Sequence, residues 1–367
     1  MRPRSGGHTT KRDAGGKGFG PRTARYQGKG KFDMRIAFFD EKPYDHLWFD
    51  PLAEQNGLEI RYFEYKLGMD TASLAQGFDA VCVFVNDDVS AGVLDILCAC
   101  GVRLLVLRCA GYNNVDVGHA TGKIRLARVP NYSPCAVAEH AWALLLSINR
   151  RTYRAYARTR DNNFSIHGLM GVDLRGKTVG VIGTGRIGRV FIEIARGFGM
   201  RVAAFDAFPA PDIEAEYMSL SEVLACADVI SLHCPLTAET HHLINRKNIA
   251  RMKDGVLLIN TSRGALVDTE ALLEGLKSRK IGGAGLDVYE EEENYFFEDL
   301  SGEILDDDSL ARLLSFPNVL VTSHQAFFTR EAMRAIAETT VENVLAFKEG
   351  RPLPGEIITA AGAAALS

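Results

Sequence analysis

From position 34 onward, short apolar runs alternate with longer stretches in which apolar residues recur every three or four positions. Segments 35–40, 59–65, 80–85 and 102–108 read as strands, being short and rich in β-branched or aromatic residues. Helical spacing falls between them at 43–57, 70–78 and 90–100, and 124–130 reads as a further strand. Such alternation predicts a parallel sheet with crossover helices. Pro130 and Pro134 bracket a segment that leaves this unit, and 136–152 reads as one long helix. A second alternation then begins. Strands are expected at 178–182, 201–206, 229–233, 256–260, 283–287 and 319–322, with helices at 186–199 and 269–279 and a last helix at 329–349. The fold class expected is α/β, with two doubly wound parallel-sheet units.

Length and composition agree with that division. At 367 residues the chain exceeds one typical domain, and 47% hydrophobic residues supply material for two cores. The longest apolar stretch, 136–148, is interrupted by Glu139 and His140 and is too short to span a bilayer, so no membrane partner is expected. Seven cysteines with no C-x-x-C spacing argue against a disulfide framework or a structural zinc site, and no metal is expected. Reduced thiols fit a cytosol or an organelle matrix. Charge is unevenly placed. Residues 1–33 hold nine Lys/Arg against two Asp, whereas the remainder holds 33 Lys/Arg against 44 Asp/Glu. An acidic body is a poor nucleic-acid binder, so no nucleic-acid partner is expected. The glycine-rich basic leader cannot form a core and is expected to be disordered, either a solvated tail or a chloroplast or mitochondrial transit peptide. The far end, 356–367, is low in complexity and expected to be loose.

Chemistry concentrates in the second unit. Gly183, Gly185 and Gly188, with Arg186 and Ile187 between the last two, form G-T-G-R-I-G between a predicted strand and a predicted helix. The first glycine permits the tight turn, the second lets backbone approach a pyrophosphate, and the third allows helix–strand contact. The following strand ends in Asp206, a carboxylate able to accept hydrogen bonds from ribose hydroxyls and to repel a 2′-phosphate. NAD is therefore the expected cofactor, and a Rossmann-type unit the expected fold around it. Arg263, Glu292 and His324 each follow an apolar strand, where ligands of open α/β sheets gather. Reducing a 2-oxo acid requires a carboxylate anchor, a polarised ketone and a proton. A guanidinium suits the first two and an imidazole the third, with a carboxylate partner favouring the protonated ring. Spacing alone does not bring the three together, since 29 and 32 residues separate them.

With these residues stand R-C-A-G-Y-N-N-V-D (108–116), V-P-N-Y-S-P-C-A-V-A-E-H (129–140), S-L-H-C-P-L-T (231–237), N-T-S-R-G-A-L-V-D (260–268), N-Y-F-F-E-D (294–299) and S-H-Q-A-F-F-T (323–329). The chain resembles the D-2-hydroxyacid dehydrogenase family from about 34 to 354, and within it the branch that interconverts pyruvate and D-lactate. The resemblance implies Arg263 as substrate-binding arginine, Glu292 as histidine partner and His324 as acid/base. It implies backbone amides of Ala110 and Gly111 for the substrate carboxylate, and Tyr132 and Phe327 as pocket walls. His233, Cys234 and Pro235 would pass beside the cofactor, and Thr261, Ser262 and Asp287 would lie near its nicotinamide. Two domains are implied, a flavodoxin-like catalytic domain (34–131, completed by 329–355) and an NAD-binding Rossmann domain (132–328), closing on a cleft. A homodimer through the 136–152 helix is also implied. The competing readings are a hydroxypyruvate, glyoxylate or phenylpyruvate reductase, and an NADH-sensing corepressor that retains the same residues.

Overall fold

The computed structural model describes residues 34–357, so the expectation for the leader 1–33 lies outside the described residues. The first alternation forms a five-stranded sheet from β1 (Met34–Phe38), β2 (Leu58–Tyr62), β3 (Ala80–Val83), β4 (Leu104–Leu107) and β5 (Arg125–Ala127). Every pairing is parallel, in the order β2-β1-β3-β4-β5. Each residue of β3 and β4 is buried, as expected of central parallel strands covered on both faces.

The second alternation forms a seven-stranded parallel sheet: β6 (Thr178–Ile182), β7 (Arg201–Phe205), β8 (Glu216–Tyr217), β9 (Val229–Leu232), β10 (Val256–Asn260), β11 (Ile281–Leu286) and β12 (Val319–Val321). Its order, β12-β11-β10-β9-β6-β7-β8, reverses direction between β6 and β9. At such a switch point successive connections leave toward opposite faces and open a crevice beyond the strand ends. Gly183 and His233 directly follow those two strands.

Two long helices tie the units together. Helix Pro134–Arg150 starts on Ser133, whose Oγ accepts from Ala136 N at 3.2 Å, with proline at the first helical position where no amide is needed. It packs on the seven-stranded sheet. Trp142 stacks between Phe191 and Phe198 at 5.0 and 4.6 Å, and its indole N–H donates to Phe191 O. Helix Arg330–Lys348, capped by Thr329, returns to the five-stranded sheet, where Met333, Ile336 and Val344 share a core with Phe38, Leu104 and Val106.

Differences from the sequence pattern have local causes. The helix expected at 70–78 is only a 3-10 turn, Ala72–Ala75, because Gly68 and Gly77 (φ 80°) confine it to a single turn. The long helix breaks at Arg151, whose left-handed φ of 51° starts a second helix, Thr152–Arg160. The tail expected to be loose from 356 is still paired at its start. Arg125 binds Glu356 through two hydrogen bonds, and Ile357 N donates to Leu126 O.

Candidate active site

The loop after β6 is built around contacts that exclude side chains. Gly183 has φ 94°, and a Cβ there would lie 2.6 Å from the backbone of His233 and Cys234. At Gly188 a Cβ would collide with Gly183 O, so helix and strand pack in direct backbone contact. Gly185 caps helix Arg186–Gly197 and faces open space, and the first-turn amides of that helix have no acceptor within it. Beyond the loop lies a cavity of about 450 Å³ lined by Gly183, Gly185, Asp206, His233, Cys234 and Pro235. Leu243 and Thr240, which the sequence motifs did not single out, also line it.

Asp206 serves the loop directly. Its Oδ2 accepts from Thr184 N at 2.6 Å and Thr184 Oγ1 at 2.9 Å, and its Oδ1 accepts from Phe208 N at 2.8 Å. Partial burial opposes its charge, but the Thr184 and Phe208 amides outweigh it and hold the carboxyl below its ordinary range. An ionised acceptor, free amides at a helix start and a cavity of this size beside both fit a dinucleotide. His233 sits between this cavity and the next. Burial pushes its imidazole down to about 3, so the ring is neutral, with Nε2 2.9 Å from Ser231 Oγ.

A second cavity, about 170 Å³, lies between the two sheets. The first unit contributes Ala110, Gly111, Phe84 and Arg108; the second contributes Thr261, Ser262, Arg263 and His324. Tyr132 and Phe327 form an aromatic wall with ring centroids 6.3 Å apart, and Phe84 lies 6.0 Å from Phe327. Arg263 begins a 3-10 turn after β10, with Nη1 donating to Ser262 O at 2.6 Å. Its Nη2 lies so near Gly111 that a Cβ there would collide with it.

His324 reaches the same cavity from the loop after β12. Its Nδ1 is 2.6 Å from Glu292 Oε1. A carboxylate can only accept, so Nδ1 carries the proton and Nε2 is left for a ligand. Glu292 is held in turn by Tyr289 N, which donates to Oε2 at 2.9 Å. His324 has a left-handed φ of 51°, a conformation unfavourable for a residue with a Cβ. Asp287 over-determines it. The Asp287 carbonyl accepts from His324 N at 2.7 Å, while its carboxylate accepts from Thr322 Oγ1, Gln325 N and Ala326 N. Asp287 and Gly188 are buried and line neither cavity, and Arg186, which lines neither as well, is exposed on the first turn of its helix.

Arg108 is the largest residue of the site that the sequence reading left without a role. Only 3% exposed, it donates to the carbonyls of Phe39 and Asp40, and it lies over the rings of Phe38 and Phe84 at 4.4 and 4.8 Å. Nearby Asp87, buried yet receiving the amides of Leu67 and Phe84, has its carboxyl pushed up to about 6 by burial. An arginine directly after the wholly apolar run 104–107 was the available signal.

Comparison with known proteins places these features. Residues 142–326 match the family model described as D-isomer specific 2-hydroxyacid dehydrogenase, NAD binding domain. The chain is 47% identical over 329 residues to the D-lactate dehydrogenase of Escherichia coli K12, covering 89% of this chain and 100% of that protein. Among solved structures it is similar to the apo-structure of D-lactate dehydrogenase from Escherichia coli (TM-score 0.81, 46% identity, 89% and 100% of the two chains). It is also similar to the pyruvate reductase of Chlamydomonas reinhardtii (TM-score 0.83, 42% identity, 88% and 98%).

Proposed function

The chain belongs to the D-isomer specific 2-hydroxyacid dehydrogenase family, with its NAD-binding domain, and on that premise we propose that it reversibly reduces pyruvate to D-lactate with NADH. The observation that carries this reading is the shared cavity of about 170 Å³, which Arg263 and His324 enter from different loops beneath an aromatic wall.

Bound NADH supplies the hydride that the ketone carbon receives. Everything else is done by the chain. Arg263 and the amides of Ala110 and Gly111 bind the carboxylate, and the planar guanidinium polarises the ketone oxygen as negative charge develops on it. His324 gives the proton from Nε2 to that oxygen and recovers it in the reverse direction. Glu292 fixes the ring through Nδ1 and stabilises the imidazolium. Gly183, Gly185 and the helix behind them hold the pyrophosphate, while Asp206 receives the ribose hydroxyls. His233, Cys234 and Pro235 would pass beside the cofactor and Thr261 and Ser262 would lie near its nicotinamide, with Asp287 fixing the His324 loop. Residues 34–131 with 329–355 act as the substrate domain and 132–328 as the coenzyme domain, closing to exclude water.

The working form in this reading is a homodimer. The helix expected at 136–152 carries that reading from the family resemblance, and the segment after it adds exposed apolar residues for a second copy, Phe164, Ile166 and Met170 at 74–86% exposure. Among the described residues no helix is long and apolar enough to cross a membrane, and all seven cysteines are free, which supports a reducing compartment. The deciding assay is NADH oxidation with pyruvate beside NADPH and phenylpyruvate, with product chirality read enzymatically. Fast NADH-dependent formation of D-lactate is expected. Preference for phenylpyruvate, or NADH binding without turnover, overturns the assignment.

A further inference from the structure

Outside the two cavities, three metal-ligating side chains meet where the fold brings two connections together. His241 and His242 lie after β9, and Glu290 lies after β11. Their candidate ligand atoms all fall within 4.8 Å of one another. His242 Nε2 is 2.6 Å from Glu290 Oε1, and Thr269 Oγ1 donates to the other Glu290 oxygen at 3.1 Å.

Neighbouring side chains on an extended backbone point to opposite sides. Here they do not. His242 has a left-handed φ of 51°, and its ring stacks against that of His241 with centroids 4.0 Å apart. The bend is held from behind, where His242 N donates to Ala265 O at 2.8 Å and Ile244 N to Leu266 O at 2.9 Å. An unfavourable backbone conformation thus turns two imidazoles toward one carboxylate, a pattern that calls for a functional explanation.

We propose that His241, His242 and Glu290 bind a borderline divalent cation, Zn²⁺ being the best match to two imidazoles and a carboxylate. Tetrahedral zinc with bonds of about 2.0–2.1 Å places its ligands about 3.3 Å apart, so the His242–Glu290 pair, now at 2.6 Å, opens while the wider separations, up to 4.8 Å, close. His241 is exposed and supplies the route for entry. The fourth position is left to water.

The site also touches the catalytic frame. Glu290 follows Tyr289, whose amide holds Glu292, and a Cβ on Gly264, next to Arg263, would collide with the Tyr289 carbonyl. A cation here clamps the 241–244 connection to the 289–293 segment, just behind the Glu292–His324 pair. The zinc would act as a regulator of the frame and take no part in the reaction.

The test is calorimetric titration of the chelator-treated full chain with ZnCl₂, beside His241→Phe, which keeps a stacked ring but removes the ligand. One equivalent bound by the parent, weakened at least tenfold in His241→Phe and again in Glu290→Gln, is the expected result. Equal thermal midpoints of the metal-free proteins, with a zinc-dependent rise in the parent alone, provide the readout independent of activity. A first equivalent undiminished in His241→Phe assigns the metal to thiols or to other histidines and overturns the proposal. So does a parent that binds no zinc.

Discussion

Gly111 and Arg263 meet across the interface of the two sheets at a distance that leaves no room for a β-carbon on the glycine. The two residues come from connections more than 150 positions apart, and their contact sets where the guanidinium stands above the 170 Å³ cavity. Gly111→Ala must displace Arg263 or part the domains. A shift of this kind at an orienting group costs on the order of 10–100-fold in kcat/KM. The loss should appear chiefly in KM for pyruvate, with NADH affinity retained, and steady-state kinetics with fluorescence titration of NADH check it. Unchanged kinetics would mean that Arg263 has no such fixed position.

The His324–Glu292 pair gives a graded prediction. His324→Ala should lower kcat by about 10²–10⁴-fold while NADH still binds, since the proton donor is lost and the cofactor loop is untouched. Glu292→Gln keeps a hydrogen-bonding group near Nδ1 but removes the charge that stabilises the imidazolium, so a smaller drop is expected. If the glutamine variant turned over normally, orientation alone would account for Glu292.

In the proposed reading Asp206 both orders the loop and receives the ribose, and the two duties can be separated. Asp206→Ala should weaken NADH and narrow the gap to NADPH, because both the ribose acceptor and the repulsion of a 2′-phosphate disappear. Thr184→Val removes one of the bonds to Asp206 but keeps the carboxylate, so its coenzyme ratio should stay near that of the parent. Ratios of kcat/KM for the two coenzymes decide, and an equal effect in both variants would assign Asp206 to loop structure only.

His233 makes stability depend on pH. Its folded value, near 3, lies below the ordinary value of 6.5, so the unfolded chain takes up the proton first as pH falls. This contribution is fully present above pH 6.5 and is lost on acidification toward 3, by up to about 1.4 kcal/mol per pH unit. Water in the adjoining cleft reduces that figure. Urea unfolding of the parent and His233→Gln between pH 7 and 4.5 should show the shallower acid limb in the variant. Parallel curves would mean that the ring is protonated in the folded protein.

Asp287→Asn tests the support behind His324. Gln325 N donates to Oδ1 and Ala326 N to Oδ2, so the single NH₂ of the asparagine would face one of these N–H groups and leave that buried pair unsatisfied at about 1–3 kcal/mol. A lowered thermal midpoint together with a lower kcat is expected. A stability loss with kcat unchanged would show that the His324 loop keeps its shape without Asp287.

The sequence by itself determined what is encoded locally. Apolar periodicity located the strands and long helices, because burial on one face or both imposes a repeat that can be read within ten residues. The glycine loop and Asp206 were legible for the same reason, being a strand, a turn and a helix start in immediate succession. Motif resemblance singled out Arg263, Glu292 and His324. Only the tertiary structure decided that Glu292 Oε1 and His324 Nδ1 stand 2.6 Å apart, because β11 and β12 are sheet neighbours whose ends adjoin. It also decided that Arg108 and Phe84 help wall the cavity that Arg263 and His324 enter, and that His241 and His242 gather beside Glu290, which lies 48 positions from His242. Such relationships depend on sheet order and on left-handed residues such as His242 and His324. Both are settled by contacts distant in sequence, which local periodicity does not record.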